Sequence, residues 1–454
     1  MFALVFCPLI VAIAAGVGFW RTARDERPLL AAGFAAHLVG VVAMVVYTEH
    51  IYGGDMLLYH SIGRELVRIV ERDPRYLSDL VKLVFHLEND LTLEMFAGGS
   101  SATMCGLMAL LMFPFGTSLY AICLAVSMFA FVGQCVMYRA VAPALDPVER
   151  RPVLASVMLV PSVVFWTSGF IKEAFAVGFL GFLCFGLTAL SNRRLLRVVS
   201  LAVGAVGVAM IKPYVLLPTA LAVGGWIYAS RPRHALGLGY KVLGIALGIA
   251  GLFAVSRLFP EYSVDRLAEN VSLHQRNYDL VKGGGSNLTL GPDSDDEAPS
   301  LVSQAKYFPL ALVNALLRPF LFEARNLSML LAGVEMTVVL VLVVVLARRG
   351  LKMVIRVVAR RPPLMFSAVF VLSFCIAVGL ATRNLGTLSR YRVPAMPMYV
   401  GLLVSLRARL NARAPVVVAS PTRARAVSRR LTPAAHYLQQ RRSSSLRKAS
   451  NRSA

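Results

Sequence analysis

Long apolar runs, separated by short polar segments, dominate the chain. A helix needs about 20 mainly apolar residues to cross a bilayer. Runs approaching that length lie near 2–20, 29–48, 115–138, 152–168, 172–191, 195–212, 213–230, 236–257, 327–347, 363–382 and 391–406. The pattern predicts an all-α, polytopic transmembrane helix bundle with 11 spans. The closely spaced pairs 152–168/172–191 and 195–212/213–230 read as tight hairpins or as broken helices inside the bundle. The stretch 101–113 is short for a span and reads as a re-entrant or interfacial helix. In 62–72 and 76–87 apolar residues recur at 3–4 spacing, which predicts two amphipathic helices on the outer membrane surface.

Composition supports this picture. Of 454 residues, 57% are hydrophobic and 16% charged, and the mean hydropathy is +0.66. An ordinary soluble chain has about 45–50% and about 25%. These values exclude a soluble globular enzyme, a disordered protein and a secreted disulfide scaffold. The six cysteines all lie in apolar stretches without a CxxC pair or Cys/His cluster, so neither disulfides nor a metal site is inferred. No basic residue precedes the first apolar run, whereas Arg21, Arg24 and Arg27 follow it. A cleaved signal has the opposite order, so the first segment reads as a retained helix with its N-terminus outside.

The net charge of +23 is mainly a topology signal. In the eleven-span arrangement, 30 of the 47 basic residues fall on the inner side, with only Asp25, Glu26, Asp146 and Glu149 as acids there. This matches the positive-inside rule, and no nucleic acid is needed to explain the excess. Two long segments, 49–114 and 258–326, fall outside. The second holds Gly283, Gly284 and Gly285 and the acids Asp293, Asp295, Asp296 and Glu297, and reads as a solvated flexible loop rather than a cation site. Residues 1–406 form the predicted bundle. The tail 407–454 is Arg/Ser-rich, holds Pro415, Pro421 and Pro433, and is expected to be disordered against anionic lipid on the cytoplasmic face.

On this topology the unusual polar residues collect at the outer face. Asp55 follows two glycines after the second span, with Tyr59 and His60 one turn further on. Lys172 and Glu173 sit in the turn between two apolar runs, Lys212 precedes Pro213 and Tyr214, and Arg383, Arg390 and Arg392 precede the last span. Ionisable groups at span ends are costly and are functional candidates. Arg and Lys can hold a phosphate and stabilise a leaving group, and a carboxylate can take a proton from an acceptor hydroxyl. Each also has a structural reading. Asp55 suits a helix cap, Lys172 and Glu173 suit interfacial anchors, and Lys212 suits the cap of a broken helix. Arg390 and Arg392 run against the positive-inside rule. Glu335 falls inside a span and either pairs with an arginine or lines a cavity. No GxGxxG, Walker A or HExxH motif is present, so nothing points to a nucleotide or zinc enzyme.

An Asp in the first large outer loop is followed by P-x-x-x-F-W-x-S-G-x-x-K-E over Pro161 to Glu173. Then come the Lys212-Pro213-Tyr214 break and N-x-G-T-x-x-R-Y-R-x-P over Asn384 to Pro394. In this order the chain resembles bacterial polytopic glycosyltransferases of the GT-C type and related membrane proteins of exopolysaccharide clusters. The resemblance covers about 29–406 and not the basic tail. It implies an outer-face active site, a polyprenyl-phosphate-linked sugar donor, and a role for Asp55 as base or as holder of a divalent cation. Lys172, Glu173, Lys212, Tyr214, Arg383, Arg390, Arg392 and His60 would form the lipid-phosphate and sugar pocket. Asp55 has no adjacent second acid, and it follows the second span where one span is commoner in the class. The expected function is transfer of sugar to a cell-envelope or polysaccharide acceptor, alongside envelope-biosynthesis partners. A polymerase joining lipid-linked repeat units and a transporter or flippase without covalent chemistry are the alternatives. Adjacent broken hairpins and charges gathered at one face favour surface chemistry over alternating access.

Overall fold

The computed structural model describes residues 2–20, 22–91, 99–188, 194–230, 304–382 and 384–412, with scattered positions between 239 and 257. The chain divides into two units, Met1–Arg409 and Leu410–Ala454, and the bundle is the first. The helices are α1 (Phe2–Phe19), α2 (Arg27–Tyr47), α3 (Asp55–Arg72), α4 (Tyr76–Val84), α5 (Ser100–Phe115) and α6 (Leu119–Val141). Next come α7 (Pro147–Leu159), α8 (Pro161–Thr167), α9 (Lys172–Leu187), α10 (Arg194–Ile211) and α11 (Leu216–Ala229). The series ends with α12 (Phe308–Leu317), α13 (Leu327–Ala347), α14 (Leu351–Val358), α15 (Pro362–Ala381), α16 (Leu385–Tyr391) and α17 (Met396–Ala412).

Among the described residues five helices are long and apolar enough to cross a membrane. A sixth results if α8 and α9, bent by 108°, count as one broken span. The expected eleven also counted shorter apolar helices such as α1 and α11, and the run 236–257, most of which lies outside the described residues. The amphipathic pair expected at 62–72 and 76–87 is present as α3 and α4, and 101–113 is helical as α5. The acidic run 293–297 and the tail beyond Ala412 lie outside the described residues.

The centre of the bundle is α6, with α9 laid against it. Small residues allow the approach: a Cβ on Gly133 would strike the backbone of Gly178, and one on Gly181 would strike Gly133. Without water to drive helices together, such close backbone packing supplies much of the cohesion. Polar contacts add to it. His37 of α2 is fully buried between Ser127 Oγ at 2.9 Å and Gln134 Oε1 at 3.0 Å. Ser127 and Gln134 are seven residues apart, two turns, so α6 presents both to the same neighbour.

The break between α8 and α9 sets up the functional end. Ser168 Oγ donates back to the Val164 carbonyl at 2.7 Å, and Ile171 is extended (φ −136°, ψ 161°), so the helix cannot run on. Gly169 lies against Met44, where a Cβ would come within 2.7 Å of Cγ. From the side, Glu335 of α13 accepts from Ser162 N at 2.7 Å and Ser162 Oγ at 2.6 Å, capping the start of α8. This acid within an apolar helix thus holds a helix N-terminus, where a carboxylate meets unsatisfied N–H groups.

The opposite end is tied by a second ion cluster. Arg409 Nη2 donates to Glu149 Oε2 at 2.9 Å and also reaches Asp146, which Arg361 holds at 3.1 Å. This pairing carries α17 past residue 406, where the bundle was expected to end. Arg409 and Glu149 are both buried. Removing one partner of such a pair leaves an uncompensated buried charge, at a cost of about 3–5 kcal/mol. Glu149→Ala is therefore expected to lower the thermal unfolding midpoint in detergent, and Glu149→Ala/Arg409→Met to recover most of the loss. A double variant no more stable than the single one would refute the pairing.

Candidate functional site

The chain leaves α2 through a π-helical turn (Thr48–Tyr52) and reaches α3 through Gly53 and Gly54, whose φ values are +62° and +78°. Residues with side chains rarely adopt this region. At Gly54 a Cβ would also come within 2.6 Å of the Tyr52 ring. The two glycines place Asp55 as the first residue of α3, with Gly54 at the cap position. The Asp55 carboxylate does not cap the helix. It turns to Arg390 of α16, with Nη2 donating to Oδ2 at 2.8 Å.

Arg390 and Lys212 share one buried carboxylate. Arg390 Nε donates to Glu173 Oε2 at 3.0 Å, and Lys212 Nζ donates to Glu173 Oε1 at 2.7 Å. Glu173 has no exposed surface, while the side chains of Lys212 and Arg390 are 4% and 7% exposed. The third guanidinium nitrogen, Nη1, donates to the Tyr52 hydroxyl at 3.3 Å. Aromatic rings enclose the cations: Lys212 Nζ lies 4.8 Å from the Tyr391 ring centre, and the Arg390 guanidinium 5.9 Å from that of Trp166. Electron-rich ring faces favour cations at such distances. Residues as distant in sequence as Asp55, Glu173, Lys212 and Arg390 thus meet at one end of the bundle.

The two carboxylates differ in access. Glu173 is sealed between two cations, whereas the Asp55 side chain remains 48% exposed. The three cations differ as well. Lys172 Nζ donates to Ser100 Oγ at 2.9 Å and Ser101 Oγ at 3.0 Å at the start of α5. Among the described residues no carboxylate lies within ion-pair distance of it. Three cations face two carboxylates here, and Lys172 carries the charge that direct pairing leaves over.

The other expected pocket residues do not join this ion cluster directly. Arg392 is buried and donates through Nη1 to the carbonyls of Ala315 (3.3 Å) and Arg318, closing the C-terminal end of α12. His60 bonds the Thr117 carbonyl through Nε2 at 2.8 Å, joining α3 to the α5–α6 turn. Tyr214 flanks the cluster, with its ring centre 5.9 Å from Lys212 Nζ and its ring stacked on Phe374 at 6.2 Å. Arg383 lies outside the described residues. Tyr52, Trp166, Ser100 and Ser101 belong to the site without having been singled out. Tyr52 directly precedes the glycine pair, and Trp166 lies within the F-W-x-S-G string.

A divalent cation fits poorly. Among the described residues no three His, Cys, Asp or Glu side chains converge, and both carboxylates already face cations. The cluster can place one accessible carboxylate beside a positively charged, aromatic-walled end of the bundle. Comparison with protein-family models, curated proteins and solved structures finds no match to this chain, so its chemistry rests on this geometry.

Proposed function

We propose that the chain is a membrane glycosyltransferase that moves a sugar from a polyprenyl-phosphate-linked donor to a hydroxyl of an envelope or polysaccharide acceptor. The supporting observation is that one end of the bundle carries both a half-exposed carboxylate, Asp55, and a cation, Lys172, whose hydrogen-bond partners among the described residues are the hydroxyls of Ser100 and Ser101. In this reading the acceptor oxygen attacks the anomeric carbon as the bond from that carbon to the phosphate oxygen breaks. The acceptor proton passes to Asp55, the electron pair leaves with the polyprenyl phosphate, and Lys172 stabilises the charge developing there. Arg390 and Lys212 act one step back: with Glu173 they fix where Asp55 and Lys172 stand. The same proposal sets the bundle in the cell membrane with eleven spans, the site and N-terminus outside, and the basic tail against anionic lipid on the cytoplasmic side.

The test is transfer by the purified full chain in lipid vesicles, offered polyprenyl-phosphate sugars and a panel of hydroxyl acceptors. Sugar transfer with release of polyprenyl phosphate is expected. Lys172→Met should impair it by about 10²-fold or more, as for loss of a group that stabilises transition-state charge, with unfolding little changed. Transport of the intact lipid without bond cleavage would overturn the proposal.

A further inference from the structure

An apolar cavity of about 340 Å³ lies at the other end of the bundle from the carboxylate cluster. It is walled by Val141 at the end of α6, Val153 of α7, Leu187 at the end of α9, Trp226 of α11, Phe366 of α15 and Leu402 of α17. The cluster stands at the N-terminal end of α9 and the cavity at its C-terminal end, about 20 Å away at 1.5 Å per residue. Packed interiors hold few voids larger than a water molecule, and this volume falls in the range of ligand pockets, about 300–1,000 Å³.

The cavity is not closed. Leu145, Trp226, Ser230 and Pro363 also border a second space of about 530 Å³, and there the wall includes Asp146 and Arg361. Residues 348–361, which lead up to this mouth, carry six basic residues and no acidic one. Within them α14 exposes Leu351 and Ile355 beside Lys352 and Arg356, the character of a short helix lying in a membrane interface. An apolar chamber therefore opens onto a chamber walled by Arg361 and its ion-pair partner Asp146, at an end rich in basic residues. Such a shape matches an amphiphile with an aliphatic tail and an anionic head.

We propose that this is a phospholipid site, in which one acyl chain fills the cavity between α6, α7, α9, α11, α15 and α17 and the anionic headgroup lies beside Arg361. The lipid comes from the leaflet at the basic end, where anionic lipids gather on basic surfaces. The chain completes packing that the side chains leave unfinished. This site is independent of transfer chemistry at the far end.

Trp226 on the wall provides the readout. The full chain in detergent is titrated with phosphatidylglycerol brominated in its acyl chain, a fluorescence quencher, and with the matching phosphatidylcholine. Saturable quenching is expected, tighter for phosphatidylglycerol and absent from the difference signal in Trp226→Phe. Ser367 of α15 also lines the cavity, and Val153→Phe and Ser367→Phe each place a ring in it. Either should weaken binding by about tenfold or more, the effect of displacing two or three buried methylenes. Arg361→Gln should narrow the gap between the two headgroups. Non-saturating quenching, equal affinity for both lipids, or unchanged affinity in both filled variants would overturn the proposal. So would displacement of the brominated lipid by polyprenyl phosphate more readily than by unlabelled phosphatidylglycerol, which would assign the cavity to a lipid-linked substrate.

Discussion

Glu173→Gln is expected to destabilise the protein by about 3–5 kcal/mol, the cost of leaving buried charge without its partner. The amide keeps the shape of the side chain, but Lys212 and Arg390 then face each other across a neutral group. Both cations are buried and both contact Glu173 directly. Arg390 retains Asp55, whereas Lys212 retains no carboxylate among the described residues, so most of the cost falls on Lys212. A lower unfolding midpoint in detergent and a lower yield of inserted protein should both follow. Glu173→Gln/Lys212→Met removes one charge of each sign and should recover much of the stability, since contacting residues are not additive. It should not recover transfer, because Arg390 no longer has its second anchor and Asp55 loses its placement. Wild-type stability in Glu173→Gln alone would mean that water or another group already neutralises the pair, and the organising role of Glu173 would fall.

The ionisable members of this cluster were visible in the sequence for a simple reason. In a chain with so little charge, an acid or a base between apolar runs must either meet a partner or serve a purpose. Asp55, Lys172, Glu173, Lys212 and Arg390 stood out in that way. Their division of labour did not. Arg390 and Arg392 look equivalent in the R-Y-R string, but residues two apart do not share a helix face. One enters the cluster and the other closes the end of α12. His60 follows Asp55 by five residues, well off its face, and goes to Thr117. The reading of Asp55 as a cap failed to foresee that the preceding glycine would occupy the cap position and free the carboxylate. Pairings such as Lys212 with Glu173, or His37 with Ser127 and Gln134, depend on which helices become neighbours. No local pattern encodes that. The apolar cavity has the same origin: its wall comes from six helices, each of which reads as ordinary core.

The expected helices lay within a few residues of their places, because hydrophobic length and periodicity are local properties, whereas α12 and α14 fall in segments read as loops. Span count was less legible. The runs that pack deepest, such as α9, are shortened by turns whose polar groups are satisfied inside the protein. Irregular backbone at membrane depth is tolerated only in that setting. The 108° bend at residues 168–171 interrupts such a run, and it is also where Lys172 and Glu173 are presented.

Asp55→Asn should separate chemistry from architecture. Asp55 is half exposed to solvent, and the buried Arg390 keeps its contact with Glu173, so losing the charge at Asp55 should cost little stability. An amide oxygen can still accept from Arg390, so the cluster should persist, with unfolding and membrane insertion close to wild type. Basicity is lost, however, and an acceptor hydroxyl then has nowhere to send its proton. Transfer should fall by about 10²–10⁴-fold, the usual contribution of a general base. The loss should appear in kcat and kcat/KM together, because proton removal matters in the transition state rather than in donor binding. Asp55→Glu retains the base but moves it by one methylene, and should recover part of the rate. Replacing Arg390 by Lys keeps a charge but loses the fork that grips both carboxylates at once, so it should lower rate and stability together. That contrast distinguishes a reacting carboxylate from a tether. Full transfer by Asp55→Asn protein would leave the Asp55 carboxylate as an anchor for Arg390 and would remove it from the reaction.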